Sequence, residues 1–250
     1  MKFCEKLKML GKSGFPYADC MIKGKLFKML FDTGCEISRI GNHVANCLNI
    51  VPYSHPDVPF IRQDIRIGNL VIPNQSLYIE NECFNLESVN SYKDQTQVDG
   101  LLGMDIIQRL PFYIDNRGEE RIACIGDSPE LRNKQKLIIQ KDAYGRPFLN
   151  LSIANTQELF LLDTCANSCF SRVWSPDWPY ETKKSPYRTS THVEEGGYKV
   201  AKKIPVPLCE TIKSKVDIVY DPHNVSILGL LCLKGFCLFY DGAGNYYISD

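Results

Sequence analysis

The stretch Phe15-Pro-Tyr-Ala-Asp-Cys-Met-Ile-Lys-Gly-Lys-Leu-Phe-Lys-Met-Leu-Phe-Asp-Thr-Gly34 decides the fold, because the chain reads almost the same way a second time. The second copy is Arg146-Pro-Phe-Leu-Asn-Leu-Ser-Ile-Ala-Asn-Thr-Gln-Glu-Leu-Phe-Leu-Leu-Asp-Thr-Cys165. Each copy is a strand, a tight polar turn at Lys23-Gly24 or Ala154-Asn155, and a second apolar strand running into Asp-Thr. Two aliphatic residues before a glycine follow in each half. Gly103 of Leu101-Leu102-Gly103 stands 71 residues after Asp32, and Gly229 of Ile227-Leu228-Gly229 stands 66 after Asp163. Both halves then close on aromatic-rich strands around a polar turn, Pro111–Gly118 and Phe236–Gly244.

Ordered features at matched spacing imply two copies of one β-rich unit, residues 1–130 and 131–250, joined near the polar stretch Asp127–Lys136. Helical pattern is sparse, confined to Met104–Leu110 and Gly41–Leu48. The expected class is mainly β: two lobes related by a pseudo-twofold axis, with a cleft between them.

An aspartate at the end of an apolar strand is costly to bury without compensation. Internal duplication would set Asp32 and Asp163 face to face across the axis. At about 3 Å and an effective dielectric of about 20, their repulsion is about 5 kcal/mol, enough to keep one proton on the pair near neutral pH. Such a pair is an acid and a base in one place: the ionised member takes a proton from water while the protonated member polarises a peptide carbonyl. The pair titrates as a unit, so neither role belongs to one residue. Thr33 and Thr164 are placed to reach across to the opposite loop, and Gly34 suits a tight turn there.

Phe31-Asp-Thr-Gly-Cys35 together with Leu101-Leu-Gly-Met-Asp105 resembles the aspartic peptidase superfamily over nearly the whole chain. Each half is similar to a retropepsin-like lobe, and two lobes in one polypeptide resemble pepsin. The resemblance implies a peptide or protein substrate cleaved in an interlobe cleft, no metal, no cofactor, and a β-hairpin flap. It also implies a monomer, since both Asp-Thr loops are in one chain. The flap expectation falls on Thr191–Tyr198, with Gly196 and Gly197 supplying flexibility; Tyr53–Pro59 has two prolines and no glycine. One departure is Cys165, where the family has glycine: a positive φ there would strain a residue bearing a Cβ. Asp105 and Asp115 are expected in surface or turn roles. Cys35 and Cys165 read as small buried thiols, with oxidation control of the cleft as the sharper alternative.

Composition narrows the classes. Lysine plus arginine and aspartate plus glutamate both number 29, so the net charge is zero and no basic footprint for nucleic acid or an anionic membrane exists. The N-terminus lacks the apolar run of a signal peptide, and no apolar stretch is long enough to span a bilayer. The 11 cysteines follow no disulfide or zinc spacing, which suits a reducing compartment and a cytoplasmic location. Two other readings remain: a catalytically inactive scaffold of the same shape that binds peptides or protein partners, and a structural protein that assembles through strand edges.

Overall fold

The computed structural model describes residues 4–11, 14–54, 58–80, 98–126, 133–184, 187–188, 193–194 and 197–250. Strands β1 (Cys4–Leu10), β2 (Phe15–Ile22), β3 (Lys25–Phe31) and β4 (Arg39–Gly41) precede helix α1 (Asn42–Leu48). Then come β5 (Phe60–Ile67), β6 (Leu70–Glu80), β7 (Gly100–Leu102), the short helix α2 (Met104–Ile107), β8 (Phe112–Asp115) and β9 (Ile122–Gly126). The second half begins with β10 (Gln135–Leu137), β11 (Ile139–Lys141), β12 (Pro147–Ile153), β13 (Thr156–Asp163), β14 (Cys169–Ser171) and β15 (Tyr180–Lys183). It continues through β16 (Tyr187–Arg188), β17 (Val193–Glu194), β18 (Tyr198–Pro207), β19 (Lys213–Tyr220) and β20 (Ser226–Gly229). A 3-10 turn (Leu230–Leu233), β21 (Cys237–Tyr240) and β22 (Tyr246–Ser249) come last.

The fold is mainly β, as the short alternating segments and frequent turn signals lead one to expect. Both quoted stretches are hairpins. Lys23 and Gly24 have φ of 49° and 76°, and Ala154 and Asn155 have 50° and 61°. Two consecutive positive φ values are what a two-residue turn matched to strand twist requires. In the first sheet β2, β3, β7, β4, β6 and β5 are neighbours in that order, and β5 pairs back onto β2, closing a six-stranded barrel. The second sheet runs β11-β12-β13-β20-β14-β19-β18-β15.

A run of six strands, β10-β22-β21-β8-β9-β1, draws from both halves of the chain. At its middle β8 and β21 pair antiparallel, Phe112 opposite Tyr240 and Asp115 opposite Cys237. One buried cluster spans this sheet and both hairpins. Phe31 packs edge-on against Phe112 at 5.0 Å, Phe112 lies 5.4 Å from Tyr240, and Tyr240 lies 4.6 Å from Tyr246. Each such ring, fully withdrawn from water, contributes about 2–3 kcal/mol. The strand that ends at Asp32 is thus anchored by its last apolar residue.

The expected linker Asp127–Lys136 is corrected at its end. Residues 127–132 lie outside the described region, but Gln135 and Lys136 belong to β10, where Lys136 pairs with Tyr247 and Leu137 is buried. Leu137 seeks the core, and its polar neighbours are carried into the strand with it. The helix expected over Met104–Leu110 ends at Ile107, tightening into turns whose Leu110 N–H bonds to the Ile107 carbonyl. No helix among the described residues is long and apolar enough to cross a membrane.

Candidate active site

Asp32 and Asp163 stand at the ends of the two hairpins. The Asp32 N–H donates to the Leu102 carbonyl at 3.0 Å, continuing the parallel β3–β7 pairing, and Asp163 lies opposite Gly229 in the parallel β13–β20 pairing. The chain then turns identically twice. Cys35 N–H bonds back to the Asp32 carbonyl and Ala166 N–H to the Asp163 carbonyl, each at 3.4 Å. The strand carrying the glycine next passes close under each loop: Met104 N–H donates to Cys35 and Leu230 N–H to Ala166, at 2.9 and 2.7 Å. A Cβ on Gly103 would lie 2.6 Å from the Ile37 carbonyl carbon, and one on Gly229 would lie 2.4 Å from the Ala166 oxygen. Both glycines are there because backbone crosses backbone.

The two threonines, fully buried, lock the loops together. Thr33 Oγ1 donates to the Leu162 carbonyl at 2.7 Å and accepts the Thr164 N–H at 3.1 Å. Thr164 Oγ1 donates to the Phe31 carbonyl and accepts the Thr33 N–H at 3.0 Å. Four backbone groups gain a hydroxyl partner in a place water does not reach.

Above this lock the two half-buried carboxyl groups are neighbours, and each acts on the other's titration. Asp32 Oδ1 accepts the Gly34 N–H at 2.9 Å, and Asp163 Oδ1 accepts the Cys165 N–H at 2.7 Å. Burial raises the Asp32 carboxyl well above the ordinary aspartate range, and the neighbouring Asp163 charge raises it further. Burial also raises Asp163, opposed by the Cys165 N–H and by neighbouring Asp32. One proton shared between two carboxyl groups is the arrangement these directions describe.

Gly34 and Cys165 occupy matching positions for different reasons than a turn. Neither has a positive φ. The strain expected of Cys165 is therefore absent, because its backbone stays where an L-residue is comfortable. Glycine at 34 answers a shortage of space: a Cβ there would come within 2.6 Å of the Asp163 carboxyl carbon. Cys165 directs its Sγ toward the Phe31 carbonyl at 3.6 Å and packs with Cys35 on a small cluster of Leu10, Phe15, Leu30, Val98 and Leu101. Burial and the Asp32 charge push the Cys35 thiol up to about 12; burial and both carboxylates push Cys165 up as well. Thiols held protonated are poor nucleophiles, which disfavours oxidation control.

Asp105 is more than a surface residue. Its Oδ1 accepts from Ser38 Oγ at 2.7 Å and Ser38 N–H at 2.9 Å, while Ser38 Oγ accepts the Gly103 N–H at 3.0 Å. This brace ties the chain after Asp32 to the strand beneath it. Its signal in the sequence was the acid two residues beyond the motif glycine. Asp115 keeps a turn role, bonded to Arg117, whose guanidinium holds its carboxyl below the usual range.

The expected flap is placed in part. Strand β15 pairs with β18, Lys183 opposite Tyr198, and β16 pairs with β17, Tyr187 opposite Glu194. Gly197, φ 89°, sits beside Lys183, while Gly196 lies outside the described residues. In the first half Tyr53 and Phe60 form a bridge with stacked rings 5.2 Å apart.

No protein-family model matches the chain, and comparison with curated proteins returns no match.

Proposed function

We propose that the chain is an aspartic endopeptidase whose halves, residues 1–130 and 131–250, are pseudo-twofold-related lobes flanking a substrate cleft. The observation that carries this reading is the reciprocal pair of Thr bonds beneath two neighbouring carboxyl groups. The backbone bonds of the loop after Asp32 (Gly34 N–H to the carboxyl, Cys35 N–H to the carbonyl, Met104 N–H to Cys35) recur after Asp163, and the two halves share a sheet through β8 and β21.

In the mechanism a water held between the carboxyl groups loses a proton to the ionised one as its oxygen adds to the peptide carbonyl carbon. The protonated carboxyl donates to the carbonyl oxygen, giving a neutral gem-diol. In collapse the dyad gives its proton to the amide nitrogen, the C–N bond breaks, and a gem-diol hydroxyl returns its proton to the dyad, which again holds one. No cofactor is needed for this balance. The inactive-scaffold reading draws on one observation, the Cys165 side chain beside the dyad where the matching position requires glycine.

The test is incubation of the purified protein with a diverse peptide pool and mass spectrometry of the products. Cleavage is expected from wild type and from neither Asp32→Asn nor Asp163→Asn, the double variant being little worse than either single one. Activity per molecule should stay flat on dilution, since one chain carries both carboxylates. Intact peptides with folded wild-type protein would favour the scaffold reading.

A further inference from the structure

The sheet faces that carry the two carboxyl groups are built in the same register from unlike residues. Side chains alternate along a strand, so Leu30 lies on the face of Asp32 and Leu161 on the face of Asp163, while Phe31 and Leu162 enter the core. Leu30 is paired with Leu101 and Leu101 with Arg39, which lies beside Tyr78. In the second half Leu161 is paired with Ile227 and Ile227 with Phe170, which lies beside Val219. Their neighbours Ile40 and Cys169 are core residues, so Arg39 and Phe170 project to the carboxyl side of their sheets. Each stands seven residues after its aspartate.

The surroundings of the two differ in kind. Phe170 packs with Tyr198 against buried Val200 and Val219, an apolar surface. Arg39 instead donates from Nη1 to Glu80, and the pair keeps 36% and 29% of its side-chain surface exposed. Arg39 lies close enough to Cys35, in the loop of Asp32, to act on its titration, and Glu36 acts on Arg39 in turn. With Glu80 and Glu36 at hand the guanidinium charge is already matched, yet the Glu80 bond occupies one N–H of a group that has several. An added carboxylate would meet two resident carboxylates, and an added ammonium would meet the guanidinium. A carboxamide meets neither: its oxygen accepts from Arg39 and its NH2 donates to Glu80.

We propose that Arg39 and Glu80 are specificity-determining residues that select a glutamine or asparagine side chain, while Phe170 selects an apolar one at the matching place in the other half. The proposal rests on the endopeptidase reading and goes beyond it by naming the substrate class. The substrate is an extended peptide with a carboxamide residue on one side of its centre and an apolar residue on the other. An apolar side chain laid on Arg39 and Glu80 would cover polar groups without bonding them, and a carboxamide laid on Phe170 would give up its water for nothing. Two unlike faces also fix the direction in which a peptide lies, which two identical faces cannot do.

The test is a positional-scanning octapeptide library incubated with the Asp32→Asn protein, so that nothing is cut, and read by mass spectrometry of the bound peptides. Glutamine and asparagine should be enriched at a position on one side of the centre, and phenylalanine and leucine at a position on the other. Arg39→Leu and Glu80→Gln, made together so that no charge is left unpaired, should reduce the carboxamide enrichment about tenfold or more and keep the apolar one. Phe170→Ser should do the converse, and melting temperatures check that each variant is folded. The same residue class enriched on both sides, a carboxamide preference that survives the double variant, or no enrichment at all would overturn the proposal. Cleavage of the peptide pool without these preferences would sink it and leave the endopeptidase reading standing. Selective binding with no cleavage by the wild type would do the reverse.

Discussion

Thr33 and Thr164 exchange bonds: each backbone N–H donates to the other's hydroxyl, and each hydroxyl donates into the strand that carries the other. Removing one hydroxyl leaves a buried N–H and a buried carbonyl without partners. Thr33→Val should therefore cost about 3 kcal/mol in urea denaturation, whereas Thr33→Ser, which keeps the hydroxyl, should cost about 1 kcal/mol. Equal losses for the two variants would mean that methyl packing, and not the lock, stabilises the loops.

Gly34→Ala should separate aim from stability. The added Cβ meets the Asp163 carboxyl carbon at 2.6 Å, so the carboxylate must move. Overpacking of this kind costs about 1–3 kcal/mol, which leaves a folded protein. Displacing a reacting group by about 1 Å costs about 100-fold in turnover. Peptide-pool cleavage by the alanine variant at the wild-type rate would show that Asp163 tolerates the shift.

Cys165→Gly has no strain to relieve, since φ at that position is not positive. The substitution withdraws a side chain from the Leu10–Phe15 cluster and loosens the unfolded chain. A loss of about 1–2 kcal/mol is expected, with cleavage retained. Abolished cleavage in a folded variant would give the Cys165 side chain a positive role at the dyad.

Asp32→Asn should change how stability depends on pH. Folded Asp32 holds its proton to higher pH than the ordinary value of 3.8. The folded state therefore binds more protons than the unfolded state between those two values, and stability is lost as pH rises through that window. Asparagine cannot titrate. Wild type should lose stability relative to the variant as pH climbs from about 4, with the difference levelling once Asp32 has ionised. Denaturation curves at several pH values measure it; a gap that does not change with pH would show that Asp32 ionises as readily folded as unfolded.

The sequence by itself determined the two hairpins, their turns and the positions of Asp32, Thr33, Asp163 and Thr164. These rest on strand alternation and turn chemistry, which act between residues close in the chain, and on a repeat that can be read by comparison. What the tertiary structure decided depends on groups distant in sequence. The Ser38–Asp105 brace spans 67 residues, and the need for glycine at 34 comes from Asp163 in the other half. Lys136 joins a strand because Leu137 is drawn into the core. The end of β18 lies beside β12 without pairing to it, and neither segment signals the other locally. Local preferences choose the elements; space and unsatisfied hydrogen bonds decide which of them can meet.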